Sequence, residues 1–288
     1  MIVTRFAPSP TGFLHLGHAY AAIIAYEAAH NSGGKFLLRI EDIDLLRCRP
    51  EFERAIYDDL RWLGLGWVEP VRRQSEHFAD YAGALERLAA KGLLYPCFCT
   101  RKDIAEEIAR AGIAPQASEL LPEGPLYPGT CRSLPDEVRT NRIADGTPYA
   151  LRLDVAKGKR LLGRDLTFEE KGHGPGGESG TQIARPERLG DVVLARKELP
   201  ASYHLAVVVD DALQGVSLVT RGEDLFPATH IQRLLQALLD LEPPAYAHHR
   251  LILDRQGRKF SKRDRAATLF GLRQAGASPE AVRTMLGL

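Results

Sequence analysis

The sequence has no long apolar run, few cysteines and almost no net charge, and each shortage excludes a class of protein. No stretch of about 18 apolar residues occurs, so no membrane span is predicted. Four cysteines suit a reducing compartment, and Cys97 and Cys99 are too close for a comfortable structural disulfide. A net charge of +1 argues against a protein that coats nucleic acid indiscriminately. The start reads as a strand rather than a signal peptide, so we expect a cytoplasmic protein.

The most informative stretch is Arg5-Phe-Ala-Pro-Ser-Pro-Thr-Gly-Phe-Leu-His-Leu-Gly-His18. It predicts a strand over residues 2–7, ended by two prolines that cannot donate to a sheet, and a helix from Gly17 to the stop signal at 31–34. A helix N-terminus presents free N–H groups and a positive dipole end to phosphates. His15 and His18 could donate hydrogen bonds to developing negative charge. Taken alone, the motif fits a capped helix with two surface histidines equally well.

A basic run, Arg258-Lys-Phe-Ser-Lys-Arg263, lies near the other end of the chain. Residues 250–265 contain seven Lys or Arg residues and two aspartates, a local excess of five positive charges. A basic run by itself is typical of a solvated loop. In this order, however, the two motifs resemble the HIGH and KMSKS signatures of class I aminoacyl-tRNA synthetases. The start at Arg5 and the run Ile40-Glu-Asp-Ile-Asp-Leu-Leu-Arg47 are similar to the glutamyl group.

The order of elements predicts an α/β fold. A second strand over Lys35–Ile40 follows the first helix, and a strand–helix–strand unit favours parallel pairing. The resemblance implies a Rossmann-type doubly wound parallel sheet, an inserted zinc-containing α+β subdomain, a short helical C-terminal stem and no anticodon-binding domain. The expected limits are 1–92 and 191–245 for the two halves of the catalytic domain, 93–190 for the insertion, and 246–288 for the basic loop and stem.

Further elements are expected between these landmarks. Pro50 opens one helix and Ser75 caps the next. The glycine-rich run 171–180 reads as an exposed loop, and 203–209 is ambiguous between helix and strand. The remaining expectations are a helix over 103–111, strands over 149–154, 191–194, 216–220 and 251–253, a helix over 229–241, and two short helices at the end.

The resemblance implies an ATP site built from both motifs. Aminoacyl activation attacks the α-phosphate with a carboxylate, and positioned positive charge and hydrogen bonds stabilise the transition state. By position in the motifs, His15, His18 and Lys262 are the expected catalytic residues, and Mg²⁺ is expected with ATP. Gly17 and Lys259 are expected to bind ATP beside them. The basic loop departs from the family pattern, because Phe260 and Arg263 replace a methionine and a serine.

The implied second substrate is L-glutamate, whose carboxylates need cations and whose ammonium needs an anion. Arg5 and Arg221 can each pair with a carboxylate through two hydrogen bonds, and Glu41 can pair with the ammonium. Taken singly, Arg5 and Glu41 fit an internal salt bridge as well. The resemblance completes the glutamate site with Phe6, Ala7, Pro8, Ser9 and Tyr203.

Three cysteines indicate a metal site or a buried thiol cluster. Cys97, Cys99 and Cys131 offer three thiolates, one short of a closed zinc site. Spacing alone favours a histidine as the fourth ligand, and His173 is the nearest downstream. The resemblance instead implies Tyr127, four residues before Cys131, and one structural zinc. Three buried free cysteines remain the alternative, and Cys48 reads as a packing residue.

The number of residues after the basic run indicates which part of a tRNA accepts the glutamate. Only 25 residues follow Arg263, which leaves no room for a helical anticodon-binding domain. The chain therefore resembles the truncated paralogues that form the glutamyl-queuosine tRNA(Asp) synthetase family. This implies a monomeric, ligase-type enzyme without a membrane partner, which activates glutamate without tRNA and transfers it to queuosine in the anticodon loop of tRNA(Asp).

Two other functions stay open at this point. One is a tRNA-charging enzyme that borrows an anticodon domain from a partner and acts at the tRNA 3′ end. The other is a non-catalytic tRNA-binding or regulatory paralogue. Intact His15, His18 and Lys262 argue against the second, because a binding module has no use for two ATP motifs.

Overall fold

A computed structural model of the protein describes residues 1–110, 126–253 and 268–288. The helices in these ranges are α1 (Leu16–His30), α2 (Pro50–Trp62), α3 (Phe78–Ala90), α4 (Arg101–Arg110), α5 (Asp136–Ala144), α6 (Val155–Leu162), α7 (Tyr203–Leu213), α8 (Phe226–Leu238), α9 (Leu269–Gln274) and α10 (Pro279–Leu286). The strands are β1 (Val3–Phe6), β2 (Lys35–Ile40), β3 (Val68–Arg73), β4 (Leu94–Cys97), β5 (Ala150–Leu153), β6 (Thr167–Glu170), β7 (Gly180–Ile183), β8 (Val193–Arg196), β9 (Leu218–Gly222) and β10 (Ala245–His249). Strands and helices alternate through much of the chain, which confirms the predicted α/β class.

The parallel strands follow a Rossmann order. β1 pairs in parallel with β2, and β2 with β3, which confirms the predicted strand–helix–strand unit. β10 pairs in parallel with β9 and β6, and β7 adds an antiparallel edge to β6. The N–H of Ser217, just before β9, donates to the Val3 carbonyl at 3.0 Å, so β9 lies beside β1. The resulting order β3-β2-β1-β9-β10 brings the carboxyl ends of β1 and β9 together, where open α/β sheets bind ligands.

A second, antiparallel sheet of order β4-β5-β8 lies between the two halves of the parallel sheet in sequence. It joins strands from both sides of residue 190, because β5 precedes and β8 follows that position. β6 and β7, which also precede it, belong with β10 instead. The four domain limits stay predictions. A division of the chain into domains should keep β5 with β8, and β6 and β7 with β10, because these strands pair with each other.

Two apolar cores support the parallel sheet. One surrounds α1 and reaches the C-terminal helices, with Ile23, Leu38 and Leu269 almost fully buried. The other packs α7 and α8 on the sheet around Tyr81 and Tyr246. Burying large apolar side chains on both halves fixes the sheet as a rigid platform for the loops at its carboxyl edge.

Several element boundaries differ from the prediction. Ser75 does not cap α3: it lies in a short 3-10 turn, where its N–H and hydroxyl donate to the Asp42 carboxylate at 2.8 and 2.6 Å. The ambiguous run 203–209 is helical and belongs to α7. The helix expected over 229–241 spans Phe226–Leu238, because Pro227 favours the first turn of a helix.

The strand expected over residues 251–253 was placed too late in the chain. The strand in this region is β10, which ends at His249. β10 contains two histidines, and the expectation followed hydropathy. The elements β3, β4, β6, β7, α5 and α6 were not predicted either. β3 and α5 are rich in charged residues and lack a clear apolar period.

The glycine-rich run 171–180 is only partly the exposed loop that was expected. Lys171 is exposed, but a Cβ atom on Gly172 would lie 2.2 Å from the His248 carbonyl oxygen. The loop therefore packs closely on β10, and only glycine permits that approach. In the described ranges, every helix is too short or too polar to cross a membrane.

Candidate active site

The turn between β1 and α1 ends in two histidines that cap the helix. His15 has extended backbone angles and its Nδ1 accepts the Gly17 N–H at 3.1 Å. The Nδ1 atom of His18 accepts the His15 N–H at 3.2 Å, and the two rings lie 3.8 Å apart. Because each Nδ1 is an acceptor, the proton of each neutral ring is on Nε2. Both imidazoles are therefore hydrogen-bond donors at the N-terminus of a 15-residue helix.

The basic run with Lys259 and Lys262 lies outside the described residues, but both its flanks contact this turn or α1. Thr268 forms an antiparallel bridge with His15, and the N–H of Leu269 donates to the Leu14 carbonyl at 2.7 Å. On the other side, the Arg250 guanidinium lies 5.0 Å from the centre of the Tyr20 ring in α1. The described residues on the two sides of the basic run therefore lie at the histidine turn and at α1.

Arg221, near the end of β9, is a buried cation that only neutral groups contact in the described part of the chain. Only 5% of its surface is exposed. Its guanidinium donates to four side chains: His248 Nε2 at 3.1 Å, Tyr203 Oη at 3.4 Å, Gln232 Oε1 at 2.8 Å and Thr229 Oγ1 at 2.6 Å. No carboxylate lies within ion-pair distance among the described residues. A buried charge of this kind is costly unless an anion pairs with it, which favours a carboxylate ligand.

Arg5 has a different environment, because a carboxylate of the protein pairs with it. Its Nε lies 3.1 Å from Asp211 Oδ1, and one terminal nitrogen donates to the Thr220 carbonyl at 3.4 Å. Burial alone would raise the pKa of Asp211, but the guanidinium groups of Arg5 and Arg39 outweigh it and hold that pKa below its ordinary value. Thr220 precedes Arg221, so the two predicted glutamate-binding arginines occupy adjoining strands.

Glu41 follows β2 and pairs with Arg39, not with Arg5. Its Oε1 lies 3.3 Å from the Arg39 guanidinium. Burial raises the pKa of Glu41, and the positive charges of Arg39 and Arg5 oppose that shift. The internal salt bridge considered for Arg5 and for Glu41, each taken singly, therefore exists for both: Arg5 pairs with Asp211 and Glu41 with Arg39. A ligand ammonium would add a further positive charge near Glu41, besides Arg39 and Arg5, and favour its charged form.

Sequence reasoning missed the charged layer beneath this site. Arg39 is fully buried and contacts both Asp211, at 2.7 Å, and Asp210, at 3.7 Å. Asp210 also accepts hydrogen bonds from Arg72 and Gln74, each at 2.7 Å. The available signal was the charge itself: Arg39 interrupts an apolar strand, and the two aspartates end an apolar run in α7. Because buried charges must be paired, each of these three residues indicates a partner elsewhere in the chain.

The other predicted glutamate residues lie at the same edge of the sheet. Phe6 ends β1, Ala7 follows it, and the Pro8 carbonyl accepts the Glu41 N–H at 3.0 Å. Ser9 lies in the turn, with its Oγ 3.9 Å from the Cys48 sulfur. Cys48, read as a packing residue, thus lies beside this edge.

Three thiols and a phenol converge next to the antiparallel sheet. The sulfurs of Cys97, Cys99 and Cys131 all lie within 4.8 Å of one another, and those of Cys99 and Cys131 are 3.4 Å apart. Tyr127 Oη lies 3.7 Å from the Cys99 sulfur and accepts the Cys131 N–H at 2.8 Å. Tetrahedral zinc with Zn–S bonds of about 2.3 Å would separate its sulfur ligands by roughly 3.8 Å, which this cluster fits.

The thiols of this cluster differ in acidity. Burial and a hydrogen bond with Cys131 raise the pKa of the Cys99 thiol to about 12. Burial also acts to raise the pKa of Cys131, but hydrogen bonds with Tyr127 and the Phe98 N–H outweigh it and hold that pKa below its ordinary value. His173, the alternative fourth ligand, is not part of the group: its N–H donates to the His248 carbonyl at 3.2 Å, beside β10.

Comparison with known proteins decides the family. The family model described as "tRNA synthetases class I (E and Q), catalytic domain" matches residues 1–288. The chain belongs to this family. The predicted resemblance to the glutamyl group of class I synthetases is confirmed, and with it the synthetase type of catalytic domain.

Two relatives of this synthetase chain, 49% and 43% identical to it, have the same name. A protein named Glutamyl-Q tRNA(Asp) synthetase from Rhodobacter capsulatus is 49% identical over 292 residues, covering 100% of both chains. A second protein of that name, from Nocardia farcinica, is 43% identical and covers 98% of this chain and 82% of its own.

A solved structure of a longer synthetase has the same fold. It is a glutamate tRNA ligase from Elizabethkingia meningosepticum in complex with its amino acid, 30% identical, with a TM-score of 0.71. The match covers 91% of this chain and 52% of that one, so the present chain spans about half the length of that ligase.

Proposed function

We propose that this protein activates L-glutamate with ATP, without tRNA, and transfers it to queuosine in the anticodon loop of tRNA(Asp). The activation half is supported chiefly by Arg221, a buried arginine that contacts four neutral side chains and no carboxylate in the described ranges. The transfer half is supported by relatives with 43–49% identity that are named for this acceptor.

In the proposed activation step, a carboxylate oxygen of glutamate attacks the α-phosphorus of ATP. The bond to the bridging oxygen breaks, and pyrophosphate leaves with the electron pair. The Nε2–H groups of His15 and His18 donate to the phosphates at the N-terminus of α1, and Gly17 lets the chain approach closely. Lys262 and Lys259, both from the basic run, stabilise the charge on pyrophosphate, and Mg²⁺ bound to ATP would add positive charge there.

Glutamate is held by groups of opposite sign in this proposal. Arg221 forms a bidentate pair with one carboxylate through the terminal N–H that its four protein contacts leave open and the N–H whose bond to the Tyr203 hydroxyl is long, at 3.4 Å, and that hydroxyl completes the shell. Arg5 binds glutamate from β1, and Glu41 faces the ammonium group of glutamate. Phe6, Ala7, Pro8 and Ser9 form the backbone wall. Glutamine would leave part of the desolvated charge of Arg221 unpaired, so the site favours glutamate.

Transfer needs a hydroxyl group at the activated carbonyl. One hydroxyl of the cyclopentene diol of queuosine attacks the carbonyl carbon, loses its proton and displaces AMP, which leaves an ester. The diol resembles the vicinal hydroxyls of a terminal ribose, so the same attack geometry serves. The basic residues of 250–265 hold the phosphates of the tRNA anticodon loop, which makes tRNA binding salt-sensitive.

One structural zinc belongs to the proposal. Cys97, Cys99, Cys131 and Tyr127 would hold it, and four protein ligands leave no open position for a catalytic water. The metal would tie β4 to the turn at 130–133, and no chemical step needs it.

The test of the activation half is ATP–pyrophosphate exchange in purified protein without tRNA. Exchange is expected with glutamate and not with glutamine or aspartate, and His18→Ala should lower its rate. A strict requirement for tRNA would contradict the proposal and favour a charging enzyme, for which the similarity to the longer ligase speaks. Complete absence of exchange, with or without tRNA, would favour a non-catalytic protein.

A further inference from the structure

Behind Arg221 lies a buried pair whose role the proposed reaction does not explain. Glu170, the last residue of β6, and His248, in β10, have side chains that are 0% exposed. Glu170 Oε2 lies 2.6 Å from His248 Nδ1. The opposite edge of the ring contacts Arg221, the arginine proposed to bind glutamate, because Arg221 Nε donates to His248 Nε2 at 3.1 Å.

The contacts define the protonation state of this ring. Arg221 is a donor only, so Nε2 must be the acceptor, and the single proton of a neutral imidazole is then on Nδ1, facing the carboxylate. Burial and the charge of Arg221 hold the pKa of His248 below its ordinary value, although Glu170 opposes the shift, so the ring is neutral. A protonated ring would place a second cation against Arg221 and lose the acceptor.

Glu170 is itself held in one orientation. Its Oε1 accepts two backbone N–H groups, from Gly172 at 2.8 Å and from His248 at 2.9 Å. Only Oε2 then remains for the ring. The close approach of the glycine loop to β10, which Gly172 permits, sets this geometry.

We infer that Glu170 is a positioning residue for glutamate recognition: it fixes the tautomer of His248, and His248 orients Arg221 without neutralising its charge. A carboxylate placed directly on Arg221 would also orient it but would compete with the substrate carboxylate. An imidazole acceptor backed by a carboxylate orients the guanidinium and leaves its charge for the ligand. This inference rests on the proposed role of Arg221 in glutamate binding.

Glu170→Gln tests it with an almost unchanged shape. The amide has one oxygen, and facing it toward the two backbone N–H groups turns its NH₂ toward Nδ1. The reverse orientation would place the NH₂ group against the N–H groups of Gly172 and His248, where only an acceptor fits, so the amide oxygen faces these two N–H groups. Nδ1 must then accept, the proton moves to Nε2, and two donors face each other between His248 and Arg221.

The expected kinetic result is an increase of about tenfold in the KM for glutamate, the size of one lost hydrogen bond to a charged group, with the KM for ATP unchanged. Glu169→Gln is the matched control, because this neighbour in β6 is exposed and contacts Thr181. Its KM values should equal those of the wild type. If Glu170 acts through His248, Glu170→Gln should add nothing in a His248→Ala background. Additive effects would overturn the inference.

A spectroscopic readout separates this from a structural role and from failure of the proposed function. ¹⁵N NMR of histidine-labelled protein should show the wild-type His248 with its proton on Nδ1 and the Glu170→Gln variant with it on Nε2. The signals that vanish in His248→Ala assign the residue. An Nε2–H ring in the wild type, or no change in Glu170→Gln, would overturn the inference even in an active enzyme. If the wild type neither binds nor activates glutamate, the proposed function fails while the tautomer result stands.

Discussion

Replacement of Arg221 by glutamine should separate substrate binding from folding stability. The wild-type guanidinium donates to His248, Tyr203, Gln232 and Thr229, and no described carboxylate neutralises it. The variant removes the charge and the fork geometry and keeps a short polar side chain in the same space.

The magnitude follows from the bonds that the ligand loses. A bidentate pair between arginine and a carboxylate contains two charged hydrogen bonds, each contributing about 1.5–3 kcal/mol. A loss of about 3 kcal/mol corresponds to roughly a hundredfold decrease in kcat/KM for glutamate. Stability should change little, because the loss of hydrogen bonds to neutral groups is offset by removal of a buried, unneutralised charge. We expect a change in Tm within about 3 °C, the size of a shift of about 1 kcal/mol.

The assay is glutamate-dependent ATP–pyrophosphate exchange, with thermal unfolding of the same samples. Arg233→Gln is the matched control: Arg233 is also buried, in α8, and its Nε donates to the Thr167 carbonyl at 2.8 Å, outside the proposed site. It should keep the wild-type KM for glutamate. An Arg221→Gln enzyme with an unchanged KM for glutamate would refute the assignment of the substrate carboxylate to this residue.

Three further predictions concern the metal, the basic loop and pH. Metal analysis should find one zinc per chain in the wild type and in Cys48→Ser but none in Cys131→Ser; full zinc in the last variant would disprove the cluster as its site. Lys262→Ala should lower kcat and leave the KM for glutamate unchanged, because the lysine acts on charge that develops as pyrophosphate leaves; the opposite pattern would exclude this role. Burial raises the pKa of Asp59 in the folded protein to about 7, and the positive charge of Arg273 opposes that shift. The stability that the protonated carboxyl contributes is therefore complete below about pH 4 and is lost as pH rises through 7. Thermal melts of Asp59→Asn should lack this loss, and a variant whose Tm depends on pH as the wild type does would count against the prediction.

Local signals in the sequence were sufficient for the centre of the site. Pro8 and Pro10 end the first strand, and the glycines after α1 end the helix. The strand, turn and helix around His15 were therefore predicted correctly. The proximity of the three cysteines was also predicted, because their spacing matches a common ligand pattern.

Long-range charge pairing was not predictable from local spacing. Arg39 meets Asp211 across 172 positions of sequence, and His248 meets Glu170 across 78. Hydropathy misplaced the strand at 251–253 because the true strand ends in two histidines, one of them buried against Arg221. Both failures have one cause: tertiary partners stabilise buried polar residues, and those partners are distant in sequence.

The destination of glutamate tests the account most directly. Labelled glutamate and ATP would be offered with three substrates: tRNA(Asp) with queuosine, tRNA(Asp) from a strain unable to make queuosine, and queuosine-containing tRNA(Asp) whose 3′ end has been trimmed without periodate, which would also oxidise the diol. We predict label on the first and third substrates and none on the second. Label on the queuosine-free tRNA, or loss of label after trimming, would contradict transfer to the anticodon base.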